Sequence, residues 1–254
     1  MNSSVPHRSH PSQLIFLLDY DGTLTDFTQN PQQAHLSLSV KQLLYSLQIY
    51  YPIILVTGRH VQGLLQASRL VGFPIIGTHG FEAYHLPNQL KFVSQKLQIF
   101  YAHETQRLRK NLSFLCQKYP NLHLESKPYS CTLHYRTLPW TRSQIQKLHR
   151  QFVSIFNQSV SRQYWKIQIG KKMIEALPRG FSKGQSVIRL LQAFPNHYPI
   201  YAGDDLTDIS VFKQLRGRGL RIAVGSRIPD TLYDLQFPAP HNFVSWLRGF
   251  LPQD

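Results

Sequence analysis

The stretch LIFLLDYDGTL, residues 14–24, sets an unbroken apolar run against two carboxylates, Asp19 and Asp21, and a turn at Gly22. Five apolar residues without alternation, ended by loop residues, are the pattern of a strand buried on both faces of a parallel sheet. IILV (53–56) repeats it, and SVKQLLYSLQIYY between them carries apolar residues at helical spacing. HVQGLLQASRLVG (60–72) predicts a second helix, FPIIGTHG (73–80) a third strand and turn, SKGQSVIRLLQAF (182–194) a helix, and YPIYAGDD (198–205) a strand. Strands alternating with helices in this way predict an open α/β sheet with right-handed crossovers.

The middle of the chain follows a different rhythm. A long helix is expected from about residue 96 through FLCQKY, then strands NLHLESK and SCTLHYR around the turn KPYS. A helix over 142–157 and a second strand pair, YWKIQIG and KKMIEALP, complete the order αββαββ. Such an order needs a small sheet of its own, so residues 91–177 are expected as a domain inserted into a core made of 1–90 and 178–254.

Charge divides the chain in the same places. The net charge is +15, but residues 1–90 hold four basic and four acidic residues, whereas 91–177 hold fifteen and three. A basic insert suits an anionic partner, whether nucleic acid, an acidic lipid surface or a phosphorylated small molecule, and equally suits a solvated surface. The 42% hydrophobic content predicts a globular fold rather than disorder. LIFLL is too short for a signal-peptide core or a membrane span, and Cys116 and Cys131 form no metal-type spacing, so a cytoplasmic protein without a membrane partner is expected.

The chemistry gathers at strand ends. In extended chain Asp19 and Asp21 project from one face while Tyr20 points away, at the sheet edge where open α/β folds bind ligands. The same residues fit an Asp-Gly turn or a sugar-nucleotide site, while an EF-hand is excluded because position 30 is Asn. In VTGR, the Thr57 hydroxyl and the Gly58 backbone could hold a phosphate oxygen, or Thr57 could cap the next helix. Lys183 falls in a helical first turn after Ser182, where a cation opposes the helix dipole unless an anion shares the site. YAGDDLTD brings Asp204, Asp205 and Asp208 together, a concentration of carboxylate that a hard divalent cation would relieve.

Two acids, a hydroxyl, a lysine and a second acidic group in this order resemble the haloacid dehalogenase superfamily of phosphatases. The blocks FLLDYDGTL, VTGR, GTHGFE, ESKPYSCTLHYR, GKKMIEALP, FSKG and YAGDDLTD together resemble the trehalose-6-phosphate phosphatase family, with its inserted C2B-type αββαββ cap. That resemblance implies an aspartyl-phosphate mechanism with Asp19 as nucleophile and Asp21 as acid and base. It implies Mg2+ on Asp19, the Asp21 carbonyl and Asp204, with Asp208 near, and Thr57 and Lys183 on the phosphoryl oxygens. It points to Gly58, Arg59, His79 and Glu82 in the core, and to Glu125, Lys127, His134, Arg136, Lys172 and Glu175 in the insert, as substrate residues. The implied partner is a small-molecule sugar phosphate, with trehalose 6-phosphate favoured over a sucrose, mannosyl or glucosylglycerol phosphate. No nucleic acid partner is expected, because no recognised binding motif interleaves with the basic residues, and a monomer is expected. The chain departs from the family pattern at Ile209, where an acid usually follows TD, and at Leu177, where a basic residue is usual within EALP.

Overall fold

The computed structural model describes residues 14–26, 35–135, 138–170 and 172–252; Arg136 lies outside them. The chain forms two compact units, Met1–Phe92 with Phe181–Asp254, and Val93–Gly180. In chain order the first unit opens with β1 (Leu14–Leu18), α1 (Leu38–Gln48), β2 (Ile53–Val56), α2 (Val61–Ser68), β3 (Ile75–Gly77) and β4 (Glu82–Tyr84). The second unit holds α3 (Gln95–Lys118), β5 (His123–Lys127), β6 (Ser130–His134), α4 (Arg142–Ser159), β7 (Trp165–Gly170) and β8 (Met173–Pro178). The chain then returns to the first unit as α5 (Lys183–Leu191), β9 (Tyr198–Gly203), α6 (Ile209–Gln214), β10 (Leu220–Val224), β11 (Leu235–Phe237) and α7 (Pro240–Arg248).

The first unit is built on a seven-stranded sheet of order β11-β10-β9-β1-β2-β3-β4, parallel except for the edge strand β4. β1 runs through its middle, pairing Leu18 with Leu55 on one side and Ala202 on the other. Burial on both faces is why LIFLL shows no alternation, and residues 15–18 of this strand are buried completely. Phe16 and Leu18 share a core with Val40, Leu43, Leu44 and Leu47 of α1 and Phe243, Val244 and Leu247 of α7. The Phe16 ring meets the edges of Tyr51 and Phe250, with centroids 5.4 and 5.1 Å away.

The expected helices are present with ends shifted by a few residues, α4 running on to Ser159. α2 stops at Ser68 because Arg69 takes a left-handed conformation, φ 54°, and its N–H closes the last turn on the Leu65 carbonyl. Ser182 caps α5 by accepting the Gln185 N–H, so Lys183 is the first helical residue, as the sequence pattern implies. β4 follows the turn at 77–80, and it, β10, β11 and α7 lie beyond the stretches that the sequence reading covered.

In the second unit the order of elements is αββαββ, and its sheet runs antiparallel in the order β5-β6-β8-β7. Alternation sets its two faces. Cys131, Leu133, Ile174, Ala176 and Trp165 are buried with Leu108 and Leu112 of α3 and Leu148, Phe152 and Phe156 of α4. The intervening residues, Glu125, Thr132, Glu175 and Gln168, are directly paired in one row across all four strands, on the sheet's other face.

Because Phe16 is fully buried, Phe16→Ala is expected to lower the unfolding free energy by about 3–5 kcal/mol. Chemical denaturation monitored by circular dichroism measures that loss, and a shift under about 1 kcal/mol would show that β1 is not the centre of this core.

Candidate active site

The carboxyl ends of β1 and β9 lie side by side, and the Asp19 N–H continues the ladder by donating to the Ala202 carbonyl at 3.0 Å. Asp19 thereby stands next to the YAGDD turn. Beyond it the chain folds tightly over the Tyr20 carbonyl, which accepts the N–H groups of Leu24 and Thr25 at 3.0 and 3.2 Å. Gly22 makes that turn at φ +79°, and any Cβ there would fall on the Asp204 carboxyl. Tyr20 is wholly buried in the core cluster, whereas Asp21 retains partial exposure.

Lys183 is the pivot of the site. Its ammonium donates to Asp19 Oδ1 and to Asp208 Oδ1, each at 2.7 Å, with only 3% of the side chain exposed. Burial by itself would pull the lysine down, but Asp19 and Asp208 outweigh it and hold the ammonium charged. Burial pushes Asp19 well above the usual carboxylate range, opposed by Lys183 and reinforced by Asp208 and Asp204. The approach of α5 depends on Gly184, whose missing side chain leaves room for the Ser210 carbonyl and whose N–H donates to Ser210 Oγ at 3.1 Å.

Asp208 organises the other side. Oδ1 also accepts the Tyr201 hydroxyl at 2.5 Å, while Oδ2 accepts the backbone N–H groups of Asp204 and Asp205 at 3.0 and 2.9 Å. With four donors the carboxylate has its lone pairs occupied. Its burial against Gly203 admits no side chain at that glycine. Asp208 therefore shapes the YAGDD turn and anchors Lys183. Ile209, where the family pattern has an acid, begins α6 directly behind it.

Asp19, Asp204 and Asp208 each bring a carboxylate oxygen within 4.8 Å of the others, and all three are buried. Three buried carboxylates against one buried ammonium leave negative charge uncompensated. Burial, with Asp208 and Asp205 beside it, pushes Asp204 up to about 7. An all-oxygen donor set of this charge fits Mg2+. Asp19 and Asp204 have the acceptor capacity to hold it directly, and Asp208 stands behind them. Arg227, in the loop after β10, approaches Asp204 Oδ2 at 3.5 Å. Neither Arg227 nor Tyr201 was among the sequence candidates; the rule that places ligands at strand ends would have pointed to Arg227 once β10 was recognised.

The second strand end has its own arrangement. Thr57 is buried, and its Oγ accepts the Arg59 N–H at 3.1 Å. It does not cap α2; His60 does, accepting the Gly63 N–H at 3.2 Å. Arg59 grips Asp21 with both arms, Nε to Oδ2 at 2.7 Å and Nη2 to Oδ1 at 2.6 Å. The His79 ring lies against Gly58, and a Cβ at Gly58 would strike it. Glu82 accepts the Val61 N–H at 3.2 Å, at the start of α2, and a short hydrogen bond from the Thr78 hydroxyl. Glu82 thus fixes the N-terminus of α2 and the turn that carries His79.

In the second unit Glu125 and His134 share a sheet face, with Nε2 2.9 Å from Oε2 and the Lys127 ammonium 3.6 Å from Oε1. Glu175 lies in the same row as Glu125, separated from it by Thr132. Lys172 holds the turn between β7 and β8 in a left-handed conformation, φ 55°. Leu177, on the same face as Glu175, pairs with Lys166.

A family model described as Trehalose-phosphatase matches residues 17–230, spanning every strand-end group above. The chain belongs to the trehalose-phosphatase family. It is accordingly a phosphoric monoester hydrolase. The trehalose-6-phosphate phosphatase of Escherichia coli (strain K12) is 28% identical over 222 residues, covering 85% of this chain and 79% of that protein. A probable trehalose-phosphate phosphatase D of Arabidopsis thaliana is 27% identical over 277 residues, covering 98% and 73%. The solved C-terminal domain of C. albicans trehalose-6-phosphate phosphatase superposes with a TM-score of 0.72 at 21% identity, covering 94% of this chain and 92% of that one. That likeness shows the haloacid dehalogenase fold. No helix among the described residues is long and apolar enough to cross a membrane.

The hydrogen bond from His134, with Lys127 and against burial, holds Glu125 down at about 2 instead of the usual 4.5. A lowered folded value contributes stability that is present above pH 4.5 and fades as pH falls toward 2. Glu125→Gln is expected to flatten this acid limb in urea titrations at pH 6, 4 and about 2.5. An unchanged limb would show that the pair contributes nothing to folding.

Proposed function

We propose that this protein is a Mg2+-dependent phosphatase that hydrolyses trehalose 6-phosphate to trehalose and phosphate through an aspartyl-phosphate. The observation that carries the reading is Asp19, buried at the end of β1 with Oδ1 held by Lys183, in a chain of the trehalose-phosphatase family.

In the first step an Asp19 oxygen forms a bond to phosphorus as the bond from phosphorus to the sugar oxygen breaks, and Asp21 delivers a proton to that oxygen. In the second, water attacks the same phosphorus, gives its proton to Asp21, and breaks the bond to Asp19, releasing phosphate. Thr57, the Gly58 backbone and Lys183 hold the transferring oxygens, where donors already in place stabilise the developing charge without reorganising. When bound by Asp19, the Asp21 carbonyl and Asp204, with Asp208 behind them, Mg2+ supplies the positive charge that lets an anionic substrate approach.

Sugar recognition is assigned to Glu125, Lys127, His134, Arg136, Lys172 and Glu175 of the second unit and to His79 of the first. The shared sheet face of Glu125, His134 and Glu175 supports this, since it gathers polar groups suited to hydroxyls. Glu82 acts through the turn that carries His79.

The test is phosphate release from trehalose 6-phosphate, sucrose 6-phosphate and glucose 6-phosphate, each with Mg2+ and with EDTA. Turnover is expected to favour trehalose 6-phosphate and to vanish with EDTA; equal turnover of all three removes the substrate assignment, and activity indifferent to EDTA removes the metal. Asp19→Asn is expected to lose nearly all turnover with an unchanged melting temperature, and Asp21→Asn to lower kcat by about 10²–10⁴-fold.

A further inference from the structure

Arg59 was counted among the substrate residues on its motif, yet its side chain is engaged elsewhere. Its guanidinium covers both oxygens of Asp21 in a bidentate pair at 2.6 and 2.7 Å. It also lies over the ring of Tyr20, 5.1 Å from the centroid, and Tyr20 is fully buried. The backbone is fastened at both ends: the Arg59 N–H donates to Thr57 Oγ at 3.1 Å, and its carbonyl accepts the Thr78 N–H at 2.8 Å. Only 12% of the side chain is exposed, against 34% for Asp21.

These restraints give the pair a direction. Asp21 sits within the tight turn after β1, and no other ion pair to it is found among the described residues. The planar fork of an arginine sets both the position and the plane of a carboxylate, which a lysine ammonium cannot do. The loop after β2 thus fixes a carboxylate belonging to the loop after β1, 38 residues away in sequence.

We propose that Arg59 is a positioning residue, which aligns the Asp21 carboxyl for proton transfer at the leaving oxygen instead of binding the substrate. This rests on the assignment of Asp21 as acid and base given above. Proton transfer depends on sub-ångström alignment, and a carboxyl misplaced by about 1 Å costs on the order of 10²-fold in rate. Freed of the fork, Asp21 keeps its identity and loses its aim.

Two variants test this, Arg59→Gln, which removes the charge, and Arg59→Lys, which keeps the charge and loses the fork, each first checked for folding by a thermal melt. Both are expected to lower kcat on trehalose 6-phosphate by about 10²-fold while KM changes little. With p-nitrophenyl phosphate, whose leaving group departs without a proton, rapid mixing should show a first-turnover burst at the wild-type rate. A rise in KM at unchanged kcat, or an equal loss of the burst and of sugar-phosphate turnover, would overturn the proposal. So would Arg59→Lys behaving as wild type, because charge alone would then suffice. Wild-type turnover of trehalose 6-phosphate judges the underlying reading separately. The variant-to-wild-type ratios judge Arg59, and they are read on whichever of the three sugar phosphates the wild type hydrolyses.

Discussion

A lysine ammonium buried between two carboxylates is the interaction on which the rest of the first unit's strand-end cluster depends. Removing such a charge from water is costly, and the cost is offset only where geometry is good and each remaining lone pair has a donor. Lys183 meets that condition at 2.7 Å on both sides. Three elements must converge for it: β1 supplies Asp19, α5 supplies the lysine, and the turn between β9 and α6 supplies Asp208. Glycine at 184 and 203 follows from the same demand, since a side chain at either position would enter space that Ser210 or Asp208 fills.

Lys183 also resolves an oddity of helix electrostatics. A cation in the first turn of α5 opposes the helix dipole by up to about 1 kcal/mol when exposed. Here the lysine is buried between two anions, so the unfavourable position is outweighed by two short charged hydrogen bonds. The lysine leaves the cluster still short of positive charge, since three buried carboxylates meet around one buried ammonium. A cluster that is negative when empty is suited to a divalent cation and then to a phosphate ester, which is how a fold shared by many enzymes comes to favour phosphoryl chemistry.

The core strands and the four strand-end groups were legible because both signals are local. LIFLL and IILV carry burial in their composition, and Asp19, Thr57, Lys183 and Asp204 follow directly from the ends of periodic segments. β4 was not legible: three residues at a sheet edge are too few to show a period. The start of α2 was misplaced onto Thr57 in one reading because histidine is not among the usual capping residues, yet His60 takes the role. The partners of Arg59 and Glu82 were hidden for another reason. Each meets a residue on a different element, and only strand order brings Asp21 to the first and the head of α2 to the second. In the insert, the family resemblance named Glu125 and Glu175, but the row that joins them through Thr132 to Gln168 required the register of four strands.

Nearly every assignment at the strand ends converges on one atom pair, an Asp19 oxygen and the phosphorus of the substrate. The direct measurement is an acid quench of the working enzyme within its first turnovers, followed by mass spectrometry of its peptides. The account predicts one phosphoryl group on the peptide containing Asp19, lost in Asp19→Asn and longer-lived in Asp21→Asn. Steady turnover with no phosphoryl adduct, or with the adduct on another residue, would contradict it.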